Sequence, residues 1–149
     1  MSRPRYVRPV SPALSPRLTA VVDSLPIGPG SRVLEIGCGP GAAARAVAAR
    51  VTDGHVLAID RSARAIELAR TTAAREIAAG RMSVRQAAVE DFQLEPGERP
   101  YDVAFAVRVG VLDGRHPGRQ EQALQRIVAA LAPGGRLFVD GREVSLDPE

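Results

Sequence analysis

The feature that most constrains this fold is a glycine-rich turn that directly follows an apolar segment. The sequence runs Val33-Leu34-Glu35-Ile36-Gly37-Cys38-Gly39-Pro40-Gly41 and continues into an alanine-rich stretch. The glycines place no Cβ atoms between the backbone and a ligand, and a helix that begins here directs free N–H groups at the same spot. Strand, turn and helix in this order are typical of the places where open α/β sheets bind small ligands.

The segment from Glu35 to Gly41 resembles the first motif of the class I S-adenosylmethionine-dependent methyltransferases. In that family the glycine turn holds the methionine end of the cofactor, and the acidic residue before it faces the amino group. The resemblance therefore implies cofactor contacts by Glu35, Gly37, Cys38, Gly39 and Gly41. A dinucleotide fingerprint, G-x-G-x-x-A, also fits the turn, but the preceding carboxylate suits an ammonium group and not a diphosphate. A tight turn that binds no ligand is the other interpretation.

Length and composition indicate one domain of ordinary size. The chain has 149 residues and 45% apolar composition, enough for a single core. The sequence has no run of about 18 apolar residues, the length that a membrane-spanning helix needs. Its N-terminus has no apolar signal segment. The single cysteine, Cys38, cannot form an internal disulfide, which favours a cytoplasmic location. Twenty arginines face seventeen acidic residues, so nucleic-acid binding is not expected without clustering of charge on one face.

Arginines and prolines alternate at the N-terminus, so residues 1–14 are predicted to form a mobile arm or lid. Residues 15–149 are predicted to form a single methyltransferase-like domain. Ser15 and Pro16 begin the first helix as N-cap and first helical residue. Hydrophobic periodicity and turn residues then predict helices at residues 16–25, 41–51, 62–79 and 119–132, and strands at residues 32–36, 56–59, 82–87, 101–109 and 136–140.

This alternation predicts an α/β, doubly wound, mostly parallel five-stranded sheet of order 3-2-1-4-5, a Rossmann-like three-layer sandwich. The family's core normally continues with another helix and an antiparallel strand pair, whereas this chain stops at Glu149, nine residues after the last predicted strand. We therefore expect a short form without that pair. Its last strand would be an exposed sheet edge, open to homodimerisation.

Asp60 ends the second predicted strand, nineteen residues after Gly41. The paired oxygens of a carboxylate suit two ribose hydroxyls, and the matching acid of the family has this role. The alternative is that Asp60 caps the next helix. Arg61, the following residue, is included in the predicted cofactor site.

The segment after the third strand is predicted to meet the adenine ring. The family often has an aspartate here, followed by a small residue whose N–H contacts the ring, but this chain has Ala88 at the aspartate position. Val89 could supply the N–H, and Glu90 or Asp91 could replace the acid. Two solvated acids in a surface turn are the alternative.

Arg108 is the only charge near the end of the apolar fourth strand, beside the expected methyl group of the cofactor, where Val107 is also a predicted contact. Its guanidinium could bind a substrate carboxylate or phosphate bidentately; the alternative is an ion pair with Asp113 or Asp140. His116, in the next loop, could be a general base or merely exposed. The Asn/Asp-Pro-Pro-aromatic run of family members that methylate adenine or glutamine nitrogens is missing.

The resemblance implies an S-adenosylmethionine-dependent methyltransferase that acts on a small-molecule acceptor, and Arg108 favours an anionic one. No metal site is predicted, and none is needed, because the sulfonium is already activated and the protein mainly aligns the reactants and excludes water. Two alternatives stay open: an RNA methyltransferase that holds RNA with the N-terminal arginines, and a non-catalytic cofactor-binding partner subunit. An NAD-binding domain is a third.

Overall fold

The computed structural model describes residues 14–112 and 114–146, which form a six-stranded sheet with helices on both faces. The helices are α1 (Pro16–Ser24), α2 (Ala42–Arg50), α3 (Ala63–Thr72), α4 (Ala74–Ala78) and α5 (Pro117–Ala130). The strands are β1 (Arg32–Ile36), β2 (His55–Asp60), β3 (Met82–Gln86), β4 (Tyr101–Ala106), β5 (Leu131–Val139) and β6 (Arg142–Val144). Apart from Leu14, the predicted N-terminal arm lies outside the described residues.

The sheet has the order β3-β2-β1-β4-β5-β6, in which β1 to β5 are parallel and β6 is antiparallel to β5. The predicted order of the first five strands is confirmed, but the prediction of only five strands is wrong. Asp140 and Gly141 have φ values of 52° and 84° and connect β5 to β6, with Val139 opposite Arg142. Positive φ at both central residues is typical of a two-residue type I′ hairpin.

The sixth strand changes the expected edge of the sheet. Because β6 pairs with β5 along Leu137, Phe138 and Val139, the expectation that the fifth strand is an exposed edge is wrong. The described part of the chain therefore gives no support to homodimerisation through β5.

Two apolar layers enclose the sheet. On one face, Val33 of β1 packs in a cluster with residues of α1, α2 and α3; on the other, Leu34 packs in a cluster with residues of α5. Coverage of both faces explains why the central strands are continuously apolar. Ala44 and Ala48 of α2 are fully buried, because alanine lets this helix lie close to the sheet. The Ser15 hydroxyl caps α1 by accepting the Leu18 N–H at 3.2 Å, as predicted.

Four predicted elements differ from the structure by two residues or more. The long helix over residues 62–79 divides at Ala73, a fully buried residue whose ψ of 22° leaves the helical range. The fourth strand ends at Ala106 and not at Val109, because the chain turns out of the sheet at Arg108, which has a φ of 56°. The helix predicted over residues 119–132 spans Pro117–Ala130, and the strand predicted over residues 136–140 spans Leu131–Val139. Among the described helices, none combines the length and apolar character that a membrane span requires.

Candidate functional site

The glycine turn lies at the carboxyl end of β1 and is fixed by the neighbouring strand. The N–H groups of Gly37 and Cys38 both donate to the carbonyl of Ile59 in β2, at 2.8 and 2.9 Å. Gly37 has a φ of 70°, and a Cβ built on it would lie 2.6 Å from Cγ2 of Val109. Both the backbone conformation and the available space therefore require glycine at this position.

Two cavities open on either side of this turn, at the carboxyl ends of the strands. The first, of about 360 Å³, is called the cleft and extends over Asp60 and His116. The second, of about 640 Å³, is called the chamber and lies between the turn and the start of α1, with Glu35 in its lining. Gly37 and Arg108 line both cavities, so one ligand could occupy the two together.

The structure brings nearly all the predicted site residues to these two cavities. Gly41 and Asp91 line neither; Gly41 is buried at the N-cap of α2, where a Cβ would lie 3.3 Å from Cβ of Ala69. The cleft includes Asp60, Arg61, Ala88, Val89, Glu90 and His116. The chamber includes Glu35, Cys38, Gly39 and Val107.

Glu35 is a buried acid in the wall of the chamber. Its relative exposure is 4%, and its Oε1 atom has no hydrogen-bond partner among the described residues. Burial raises the pKa of Glu35 to about 8, and the charge of Asp60 adds to the rise, while the N–H of Ala44 opposes it. A buried carboxylate without a cation is costly, so this oxygen suits a positively charged ligand group.

Asp60 connects the end of β2 to the turn and to the start of α3. Its Oδ2 accepts the N–H of Gly39, and its Oδ1 accepts the N–H of Ser62, both at 2.9 Å. Ser62 itself caps α3 by accepting the Ala65 N–H at 3.1 Å. Because each carboxylate oxygen has two lone pairs and Asp60 is only partly buried, it keeps acceptor capacity toward the cleft.

The segment after β3, which lines the cleft, is held by α5. Val89 and Glu90 are buried, with 4% and 9% exposure. The Glu90 carboxylate lies 3.5 Å from Nη1 of Arg119. The backbone carbonyl of Glu90 accepts a hydrogen bond of 2.7 Å from Nε2 of Gln122. The alternative of two solvated acids is therefore wrong for Glu90, whereas Asp91 is exposed.

Arg108 follows β4 and does not lie within it, which corrects the prediction. Its φ of 56° is left-handed, an uncommon conformation that costs energy in a non-glycine residue. Its N–H donates to Oδ1 of Asp140 at 2.8 Å, while the Asp140 carboxylate forms its ion pair with Arg17 at 3.7 Å. The alternative, an Arg108–Asp140 ion pair, is therefore not formed, and the other alternative partner, Asp113, lies outside the described residues.

Two other predicted residues, His116 and Cys38, differ in burial. His116 is exposed and precedes α5 without capping it through its side chain. Cys38 is buried, and burial together with the charges of Glu35 and Asp60 raises the pKa of its thiol to about 12. The thiol is therefore protonated at neutral pH, which lowers its reactivity as a nucleophile.

Two charged residues of this region, Arg17 and Arg119, are absent from the sequence predictions, and Asp140 is named there only as an alternative ion-pair partner of Arg108. Arg17 lines the chamber, Arg119 lines the cleft and pairs with Glu90, and Asp140 holds the backbone of Arg108. Only Asp140 has a sequence signal, since Asp-Gly between apolar segments predicts a hairpin. Arg17 and Arg119 have no such signal, because the packing of α1 and α5 brings them to the site.

Comparison with known proteins shows the family to which the chain belongs. A family model described as a methyltransferase domain matches residues 33–135. The chain is 33% identical over 115 residues to trans-aconitate 2-methyltransferase of Paracidovorax citrulli (strain AAC00-1), covering 77% of this chain and 40% of that protein. It is 30% identical over 119 residues to an O-methyltransferase of Pyrenophora dematioidea, covering 80% of this chain and 42% of that protein.

Among solved structures, a methyltransferase from Thiobacillus denitrificans in complex with S-adenosyl-L-homocysteine has the same fold, with a TM-score of 0.64 and 22% identity over 87% of this chain and 49% of that chain. The chain belongs to the class I S-adenosylmethionine-dependent methyltransferases. It spans about two fifths of the length of the two curated relatives named above.

Within residues 14–112 and 114–146, no group of His, Cys, Asp and Glu side chains could hold a metal ion.

Proposed function

We propose that this chain transfers a methyl group from S-adenosylmethionine to an oxygen atom of a small acceptor that carries carboxylates. The observation that carries the proposal is the position of Arg108, which lines both the cleft and the chamber. An anion held there would lie where the two cavities meet, beside the glycine turn.

The residues of the two cavities fit the cofactor. The unpartnered Oε1 of Glu35 in the chamber would receive the ammonium group, and Asp60 in the cleft would receive the ribose hydroxyls. The N–H of Val89 would face the adenine ring. When bound, S-adenosylmethionine supplies a methyl group that its sulfonium has already activated. The chain would bind the ammonium end of the cofactor in the chamber and the ribose end in the cleft. Gly37, which lines both cavities, would lie between the two ends.

The acceptor class follows from the guanidinium of Arg108. It has no hydrogen bond or ion pair with another described residue, and it is exposed. A guanidinium binds a carboxylate through two parallel N–H···O bonds, which fixes both position and orientation. The similarity to trans-aconitate 2-methyltransferase supports this class, because trans-aconitate is a tricarboxylate. One carboxylate would be bound by Arg108 while another presents the accepting oxygen.

A carboxylate acceptor also explains why the site needs no general base. An ionised carboxylate has no proton to lose, so no general base has to be placed beside it. His116 lines the cleft but is not required as a base for such an acceptor. What the chain must provide is alignment of the reactants and exclusion of water.

The test is an assay of S-adenosylhomocysteine release with trans-aconitate as the first probe, followed by a panel of mono-, di- and tricarboxylates. Arg108→Met removes the charge and keeps much of the side-chain length. It should leave S-adenosylhomocysteine affinity nearly unchanged and lower kcat/KM at least tenfold, about 1.4 kcal/mol of transition-state binding. The matched control is Arg64→Met, which removes an exposed arginine of α3 outside both cavities.

Three results would contradict the proposal. Equal effects of Arg108→Met and Arg64→Met would remove Arg108 from acceptor binding. Binding of S-adenosylhomocysteine without turnover of any carboxylate would favour a non-catalytic partner subunit or another acceptor class. Thermal stabilisation by NAD, with none from S-adenosylhomocysteine, would overturn the cofactor role of the site.

A further inference from the structure

Asp140 occupies an unusual place at the end of the parallel ladder between β4 and β5. Its N–H donates to the carbonyl of Ala106 at 2.9 Å, which extends the ladder one residue beyond β5. The chain then reverses through the hairpin at Asp140 and Gly141, so the ladder ends here. The next N–H on the β4 side belongs to Arg108, and it donates to the side-chain Oδ1 of Asp140 at 2.8 Å. The carboxylate thus completes the ladder after the backbone has turned away.

This contact involves the residue that carries the proposed function. A left-handed backbone is unfavourable for any residue with a Cβ, and it persists only where its surroundings hold it. Arg108 has this conformation with a φ of 56°, and Asp140 is the described residue that binds its N–H. A hydrogen bond from a backbone N–H to an ionised carboxylate is stronger than one between neutral groups, so it can hold such a turn.

We propose that Asp140 is a positioning residue for the acceptor site: its carboxylate fixes the left-handed turn at Arg108, so that the guanidinium is held where the cleft and the chamber meet. The inference rests on the proposed function, because it gives Asp140 a role only through Arg108. Asp140 also forms an ion pair with Arg17 at 3.7 Å, and Arg17 lines the chamber. The acidic side chain thus lies between two arginines that both line the chamber.

The competing explanation is that Asp140 serves the hairpin alone, since Asp-Gly is a preferred pair in this turn. Two substitutions separate the explanations. Asp140→Asn keeps both the turn preference and an acceptor oxygen at Oδ1. Asp140→Gly also suits the turn, because glycine adopts positive φ freely, but it removes the acceptor. A role in the hairpin alone predicts equal behaviour of the two variants.

The experiment compares wild type, Asp140→Asn and Asp140→Gly in the S-adenosylhomocysteine release assay with trans-aconitate as the probe. Asp140→Gly should raise KM at least fivefold, with S-adenosylhomocysteine affinity within twofold of wild type, and Asp140→Asn should restore most of the loss. Hydrogen exchange at the Arg108 amide should be faster in Asp140→Gly than in Asp140→Asn. In an Arg108→Met background the change to glycine should have no further effect on KM, since coupled residues are not additive.

The possible failures are distinguishable. If wild type methylates the probe and the two Asp140 variants have the same KM, the inference is overturned while the proposed function stands. An equal loss from Asp140→Gly with and without Arg108→Met would also overturn it, because Asp140 would then not act through Arg108. If wild type binds S-adenosylhomocysteine but methylates no carboxylate probe, the proposed function fails first and the inference fails with it.

Discussion

The buried carboxylate of Glu35 makes cofactor affinity depend on pH. Burial raises the pKa of Glu35 to about 8 in the unliganded protein, whereas the proposed ammonium partner requires the ionised form. At pH 6 about 1% of the protein would have Glu35 ionised, and at pH 8 about half. If only the ionised form binds, affinity for S-adenosylhomocysteine should rise roughly fiftyfold between these pH values, which is ~2.3 kcal/mol.

Isothermal titration calorimetry measures this effect directly. Titrations at pH 6, 7 and 8, in buffers of different ionisation enthalpy, give both the affinity and the number of protons released on binding. We expect close to one proton released at pH 6 and about half a proton at pH 8. Glu35→Gln should abolish the pH dependence, while Glu67→Gln, an exposed acid on α3, should retain it. A pH-independent wild-type affinity without proton release would refute the reasoning.

The same group affects the stability of the unliganded protein. The pKa of Glu35 is raised on folding from 4.5 to about 8, so the folded state binds more protons than the unfolded state between these values. Proton binding to Glu35 therefore raises the free energy of unfolding. This contribution is complete below about pH 4.5 and is lost as the pH rises through about 8. Glu35→Gln should raise the melting temperature relative to wild type more at pH 9 than at pH 5. The reverse order would show that the carboxylate is not buried unpaired.

Three further predictions concern the turn and the cleft. Gly37→Ala should destabilise the fold by about 1–3 kcal/mol in urea unfolding, because of its left-handed φ and the close approach of Val109; an unchanged midpoint would contradict this. Asp60→Asn should weaken S-adenosylhomocysteine binding by about 1.5–3 kcal/mol in calorimetry, and wild-type affinity would remove Asp60 from the ribose site. Cys38, whose pKa is raised to about 12, should resist iodoacetamide at pH 8 until the protein unfolds, as measured by mass spectrometry; rapid modification of the native protein would contradict its burial.

The central half of the fold could be predicted because its signals are local. The glycine turn after Ile36 and the acid at Asp60 define β1, α2 and β2, and the order of the five parallel strands follows from alternation and handedness. The sixth strand also has a local signal, Asp140-Gly141, because Asp-Gly between apolar segments is typical of a tight hairpin. The division of the long helix at Ala73 had none, because neither glycine nor proline marks it.

The sequence indicates many of the residues that line the candidate site, but it does not indicate their backbone conformations or their contacts with one another. Arg108 was expected inside a strand, and nothing in the sequence indicates that an arginine adopts a φ of 56°. Its conformation accompanies a contact with Asp140, 32 residues away. Similarly, the pairing of Glu90 with Arg119 joins residues 29 positions apart and depends on the packing of α5. Such contacts are products of the tertiary fold, which local patterns do not contain.

The bonds that hold the glycine turn have a consequence for sequence variation. The acceptor for both Gly37 and Cys38 is a backbone carbonyl, that of Ile59, so the turn does not depend on which side chain stands at position 59. Another apolar residue that fills the same core space would leave the turn intact. Gly37 has no such freedom, because the space above it is taken by Val109. Libraries randomised at the two positions should therefore return several residues at 59 and glycine alone at 37.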